Sequence, residues 1–322
     1  MACQRADTCG SIASAGAVPD PLGRPFAARP LHATSLVRMR DYVCSAAPGG
    51  PTDEERSAAH EIVLMRHGAF CKHLGRRRAL VDVNEVAFFE RDSTYRVSHP
   101  GSSGDRGTVF AVAPRVLNEI VREYHPGVDD HPDHPFPFHA GPCDPTTFWR
   151  HRALVQRLEL SLTGSAPPPE PLWVDTTALQ LMADVLGAAF ARQGIQRALP
   201  RAGTVADHQE RVELAKAYLA VHLDERITLD EVATAVHASP FHFARMFQRY
   251  TGVSLHRYLM RLRLRAALER LGDPRGDLTD LALDLGFSSH SHFTDAFRRE
   301  FGHPPSDLRR AANGLERSSG SA

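Results

Sequence analysis

The 322-residue chain carries 38 lysines and arginines against 38 aspartates and glutamates, so no chain-wide basic field points to nucleic acid or to a membrane surface. Its 42% hydrophobic and 24% charged residues are the proportions of a folded globular protein, and the length suits two ordinary domains. The absence of a run of about 18 apolar residues argues against a membrane span.

The first twenty residues lack a basic start followed by an apolar block, which disfavours a secretory leader. Cys3, Cys9, Cys44, Cys71 and Cys143 are scattered, with no close CxxC pair. They read as reduced thiols of a cytoplasmic protein rather than as a disulfide framework or a zinc module.

Residues 1–30 are rich in Ala, Gly, Ser and Pro without periodicity and read as a disordered tail. From Leu31 to Pro114 the pattern is strand-like. His60–Arg66, Ala79–Val83, Glu85–Phe89 and Thr108–Ala113 are β-prone runs, with turn residues Gly68, Gly75 and Asn84 between them. Short strands at this spacing predict an all-β barrel or sandwich. Val116, Leu117, Ile120, Val121 and Tyr124 then fall at helical spacing, and a loop rich in Pro, His and Asp runs from Pro126 to Pro145. Two more helices are predicted. One is Thr146–Leu162, with Phe148, Val155 and Leu162 along a stripe. The other is Thr176–Gln193, with Leu179, Met182, Leu186 and Phe190 at helical spacing. Pro167–Pro169 separates them, and Gly194 to Asp207 reads as a linker.

The last third is helix after helix. Gln209–His222 is amphipathic, and Thr228 caps a short helix whose first turn holds Asp230 and Glu231. Ser239 and Pro240 start a helix that Gly252 ends, and Ser254–Leu271 is a long connector. The scheme then repeats: a short helix at Leu278–Leu285, a turn at Gly286-Phe287, and a helix from Ser289 to Phe301 before Gly302. A short helix, a tight turn and a helix of about twelve residues form a helix-turn-helix, whose second helix enters the DNA major groove.

Helical arithmetic gives the reading faces. In the first copy, about 228–250, Phe243, Met246, Phe247 and Tyr250 cluster inward. That leaves Phe241, Arg245 and Gln248 outward, flanked by His242, Ala244 and Arg249. Arg and Gln make bidentate contacts to guanine and adenine, and an outward Phe241 or Ala244 meets a thymine methyl. In the second copy, about 278–301, Phe293, Ala296 and Phe297 are core. Ser291, Asp295 and Arg298 face out, with His292, Thr294 and Arg299 beside them and His290 near the helix start. Arg245 is the expected base reader; Arg249, Arg298 and Arg299 are the expected phosphate contacts. The 18-residue connector spans about 27 Å, close to the ~34 Å between successive major-groove openings. Between Arg245 and Arg275 eight arginines face only Glu269 and Asp273, a local basic stripe that attracts phosphate in a salt-sensitive way.

On these residues the segment 208–312 resembles the AraC/XylS family DNA-binding domain of bacterial transcription regulators. The matching positions include Leu229-x-x-Val-Ala233, Ser239-x-x-x-Phe243-x-Arg245-x-Phe247, Arg263-Leu264-x-x-Ala267-x-x-x-Leu271, Gly286-Phe287, Phe293-x-x-x-Phe297-x-x-x-Phe301-Gly302 and Pro305-x-x-Leu308-Arg309. The resemblance implies base contacts from Phe241, Ala244 and Arg245. Leu255 stands where the family often has proline, and Asp295 where an arginine is common, which weakens base reading by the second helix. The resemblance further implies an α+β architecture with a cupin-like β-barrel sensor (31–145), which the stretch 95–106 also resembles. A helical dimerisation region (146–200) would follow, pairing two copies through Leu179, Met182, Leu186 and Phe190, although the same stripe could equally pack within the chain against the barrel; then come a linker (201–207) and a short tail (313–322). Expected partners are double-stranded DNA, a small-molecule effector, RNA polymerase and a second copy of the chain; no cofactor, metal or membrane is expected, and activation is favoured over repression. The location implied is cytoplasmic, at the nucleoid.

The rival reading is a metal-dependent cupin enzyme fused to a DNA-targeting domain. Such barrels need an HxH pair, and His60, His67, His73 and His99 lack that spacing. His131, His134 and His139 with Asp129, Asp130 and Asp133 sit in the proline-rich loop and read as solvated rather than metal-binding. No Ser/His/Asp elbow or P-loop occurs. Cys44, Cys71 and Cys143 read as structural thiols, since oxidant sensing needs a particular environment.

Overall fold

The computed structural model of the protein describes residues 18–19, 26–45, 47–100, 104–196, 205–271 and 277–310. The strands are β1 Val18–Pro19, β2 Phe26–Ala33, β3 Val37–Cys44, β4 Glu55–Arg56, β5 Glu61–His67, β6 Phe70–Leu74, β7 Arg77–Val81, β8 Glu85–Phe89, β9 Thr94–Ser98, β10 Asp105–Val112 and β11 Ala140–Pro142. Helix α1 (Pro114–Arg122) follows β10, and α2 (Pro145–Leu162) and α3 (Pro171–Arg192) follow β11. The C-terminal helices are α4 Val205–Val221, α5 Leu229–Ala235, α6 Pro240–Thr251, α7 Leu255–Arg270, α8 Leu278–Asp284 and α9 His290–Phe301. No helix among the described residues is long and apolar enough to cross a membrane. Strand β2 begins inside the stretch expected to be a tail; residues 1–17 and 313–322 and most of the expected linker lie outside the described residues.

The strands form a seven-stranded sheet, in the order β1-β2-β3-β10-β5-β8-β11, and a four-stranded sheet, β4-β9-β6-β7. The two sheets do not close on one another, so the domain is an open two-sheet structure and not the closed barrel expected. Side chains alternate between faces along a strand. Val37, Met39, Ile62, Leu64, Val86, Phe88, Phe110 and Val112 therefore share one face of the large sheet and join the core with the helices. Tyr42, Cys44, Val63, Met65, Ala87, Phe89 and Val109 point the other way and pack with Phe70 and Val81 of the small sheet. The unbroken apolar run 62–65 of β5 is the signature of burial on both faces.

Helix α1 seats Val116, Leu117, Ile120 and Val121 in the core, and the Tyr124 ring stacks on Phe190 at 5.1 Å. Helix α2 is capped by Asp144, whose carboxylate accepts from the Thr146 and Thr147 amides. Its buried residues are Thr147, His151, Leu154, Val155 and Leu158, while Leu162 is exposed. A stripe drawn through apolar residues alone misses the two polar side chains that it buries. Helix α3 starts at Pro171, earlier than expected, because a proline at the first helical position is tolerated. Its Asp175 is wholly buried, accepts from Thr34 Oγ1 at 2.9 Å and lies 2.9 Å from His32 Nε2. Leu179, Met182, Leu186 and Phe190 are at most 1% exposed and belong to the core of the single chain. That corrects their expected role: this face is already covered by the sheet and by α1, and is not presented to a second copy.

His151 lies under the sheet with its ring 5.9 Å from Phe110. Burial, with Arg66 and Arg152 nearby, holds its imidazole down at about 3. The unfolded chain takes up this proton below about pH 6.5 while the folded chain does not, so this contribution is complete above pH 6.5 and is lost as pH falls towards 3. We expect wild type to lose about 2 kcal/mol more than His151→Leu between pH 7 and pH 5 in urea unfolding; equal losses would contradict this role.

Candidate nucleic-acid interface

Most start and stop signals of the C-terminal helices act as local chemistry predicts, although Ser239 sits at the start of α6 without a side-chain capping bond. Thr228 and Glu231 form a reciprocal capping box on α5, Ser254 Oγ accepts from the Arg257 amide, and Ser289 Oγ from the His292 amide. Gly252 and Gly302 close α6 and α9 at φ 74° and 81°. The turn between α8 and α9 needs Gly286 (φ 73°): a Cβ there would lie 2.5 Å from the Asp224 carbonyl oxygen. The corresponding turn before α6 puts His237 at φ 50°. The second motif has its own core, built from Leu264, Ala267, Leu281, Leu285, Phe287, Phe293 and Phe297. The core of the first motif is continuous with that of the N-terminal domain.

In α6, Phe243, Met246 and Phe247 are buried as expected. His242, Gln248 and Arg249 are exposed. Phe241 is corrected: it is 1% exposed, not outward. Ala244 also packs against the core, and Tyr250, expected inward, is 39% exposed. The reason is a second contact face. Arg245 Nη1 donates to Glu123 Oε2 at 2.5 Å, and Glu123 stands at the C-terminal end of α1. The guanidinium carbon lies 5.4 Å from the centre of the Phe241 ring, and His242 Nδ1 is 4.0 Å from the other Glu123 oxygen. Glu119 of α1 lies beside Ser239 at the start of α6, and burial raises its pKa. Beside Arg245 runs a polar cleft of about 390 Å³ lined by Tyr124, Asp144, Arg150, Gln180 and Asp184.

Helix α9 is differently placed. Ser291, Asp295, Arg298 and Arg299 are exposed, whereas His290 and Thr294 are half-buried. His292 is half-buried, with Nδ1 3.1 Å from Ser288 Oγ; burial, with Arg157, Arg299 and Arg263 nearby, lowers its pKa. The expected outward side of α9 is thus open, while that of α6 faces α1. Arg298→Gln should weaken binding to all duplexes alike and reduce the slope of log K against log salt by about one unit. An unchanged slope would remove Arg298 from the phosphate contacts.

The arginine stripe is less uniform than its sequence suggests. Arg249, Arg257 and Arg265 are exposed, but Arg261 pairs with Glu300 at 3.1 Å and Arg270 with Asp284 at 2.6 Å. Arg263 is wholly buried. It donates to the carbonyls of Leu223 and Glu225 and to Glu170 Oε1 at 2.7 Å, so it ties α7 to the start of α3. Glu119, Glu123 and Glu170 have no sequence signal, because an acidic residue on a helix end is ordinary until its partner is known.

The loop histidines do not converge: His134 lies 3.3 Å from Glu90, and Asp129 pairs with Arg122. Burial, with Asp144 and Glu85 nearby, pushes the Cys143 thiol up to about 11, so it is not a reactive thiolate at neutral pH.

Residues 232–311 match the family described as "Helix-turn-helix domain". The HTH-type transcriptional activator RhaS of Shigella dysenteriae serotype 1 is 24% identical over 275 residues, covering 83% of this chain and 91% of that protein. RhaS of Escherichia coli (strain SMS-3-5) matches to the same extent. Among solved structures, an AraC-type regulator from Chromobacterium violaceum is 27% identical, covers 33% of this chain and 96% of its own, and has a TM-score of 0.32. ToxT from Vibrio cholerae is 8% identical, covering 85% of this chain and 98% of its own at a TM-score of 0.33.

Proposed function

We propose that this chain, an AraC-type DNA-binding transcription regulator, reads two consecutive major grooves of one duplex with α6 and α9, and that its own N-terminal domain holds α6 back from doing so. The observation that carries the reading is the Arg245–Glu123 ion pair beside the buried Phe241. A guanidinium committed to a carboxylate cannot at the same time form the fork on a guanine edge. The 16 residues of α7 set the two motifs about 24 Å apart along its axis, and α9 keeps Arg298 and Arg299 open to phosphate.

A small-molecule effector acts, in this reading, by its differential affinity for the docked and released positions of α6. The cleft beside Arg245 is the place we assign to it. The sign we assign is activation, as in the name of the RhaS relatives, with RNA polymerase as the partner on DNA. A cytoplasmic homodimer completes the reading, through a surface other than the buried α3 stripe. The upstream cupin-like role is that of a sensor, and enzymatic turnover forms no part of it.

Selection of bound sequences from a random duplex library by the full chain tests this. Two half-sites about one helical turn apart are expected. Recovery of unenriched sequence at low salt would overturn the reading.

A further inference from the structure

Cys44 ends β3, Asp105 opens β10, and His99 stands just beyond β9. Cys44 and Asp105 are register partners in the antiparallel β3–β10 pair, so their side chains leave the sheet on one face. That face is the one turned to the small sheet, where Cys44 packs with Tyr42, Met65 and Phe89. Gly104, at φ 66°, lies against Cys44, and a Cβ there would collide with the Cys44 carbonyl oxygen.

His99 completes the group. Its Nε2 is 3.5 Å from Cys44 Sγ and 2.8 Å from Asp105 Oδ2, and all three donor atoms lie within 4.8 Å of one another. The residues are 9%, 8% and 3% exposed. Thiol and carboxylate address the same ring nitrogen, unlike a catalytic relay, which uses the two nitrogens for different partners. A single proton on Nε2 serves one of them at a time, with Tyr42 also beside Asp105; a cation between the three serves all. Tetrahedral bonds of about 2.3 Å to sulfur and about 2.0 Å to nitrogen place the two donors about 3.5 Å apart, the separation found here. The nitrogen–oxygen pair needs to open by about half an ångström from its present separation to reach the same geometry. A ligating imidazole is neutral, so a divalent ion would balance one thiolate and one carboxylate to neutrality. Sulfur, imidazole and carboxylate together select zinc over magnesium or calcium.

We propose that Cys44, His99 and Asp105 form a zinc(II) site between the two sheets of the N-terminal domain. It joins Cys44 to His99 and Asp105, which lie six residues apart; 55 residues separate Cys44 from His99, which is why no compact ligand spacing announces it.

The test uses the full chain, reduced and stripped with a chelator, titrated with Co²⁺ alone and then with Zn²⁺. Expected are a thiolate-to-cobalt charge-transfer band and tetrahedral visible bands, both abolished by zinc. Cys44→Ser should remove the charge-transfer band, and Asp105→Asn should weaken cobalt binding at least tenfold. Cys71→Ser and Cys143→Ser should change neither. Should Cys44→Ser fail to fold, mass mapping of thiol alkylation in the unsubstituted chain still decides, with zinc expected to slow labelling of Cys44 selectively. A folded chain with no cobalt spectrum, a spectrum that survives Cys44→Ser, or zinc protection confined to other cysteines would each overturn the site.

Discussion

Arg263→Ala should lower the unfolding free energy of the full chain by about 3–5 kcal/mol, the cost of breaking a buried charge pair from one side. The guanidinium is wholly enclosed and spends its three nitrogens on Leu223 O, Glu225 O and Glu170 Oε1. Truncation strands two carbonyls and leaves Glu170, whose side chain is 10% exposed, buried at the start of α3 without its arginine. Burial already raises the pKa of Glu170 against the pull of Arg263, so the uncompensated carboxylate would take up a proton or open the α3–α7 contact. Urea unfolding measures the loss. Adding Glu170→Gln to Arg263→Ala should recover part of it, because the stranded charge goes with the second substitution. A loss below about 1 kcal/mol would show that the pair is not a structural tie.

Glu123→Gln should strengthen binding to a selected duplex about tenfold, or 1.4 kcal/mol. The carboxylate is 8% and the guanidinium 26% exposed, so the pair is only partly screened and its loss favours the released position of α6. A protein whose competent state is a small fraction gains apparent affinity as that fraction rises. In an Arg245→Ala background the same substitution should change affinity little, since the pair is already broken. Weaker binding by Glu123→Gln, or an equal gain in both backgrounds, would show that docking on α1 does not restrain α6. Fluorescence anisotropy with a labelled duplex provides the numbers.

The C-terminal helices are legible in the sequence because their boundaries are local chemistry: Thr228, Ser254 and Ser289 as caps, Pro240 at a first turn, Gly252 and Gly302 at left-handed ends. The orientation of α6 is not. Its periodicity identifies one buried face, but Phe241 opposite that face marks a second surface without saying whether nucleic acid or protein covers it. In this structure α1 covers it. Strand β6 is hidden in the sequence because Lys72 stands inside it. That lysine is 1% exposed, its ammonium donates to the Phe88 carbonyl, and burial brings its pKa down to about 7. Strand β2, with Pro30 and three alanines in FAARPLHA, shows no alternation, and its first half reads as part of the tail. Long-range pairs such as Arg245–Glu123, 122 residues apart, exist only once the chain has folded.

Base-by-base competition titration on a selected duplex decides whether α6 is the reader. Wild type and Arg245→Ala are compared against duplexes carrying each single base-pair change in turn. Arg245→Ala should bind the parent duplex about 1–3 kcal/mol more weakly and lose discrimination at one position while keeping it elsewhere. An identical discrimination profile for the two proteins at every position would contradict the assignment of α6 to the major groove.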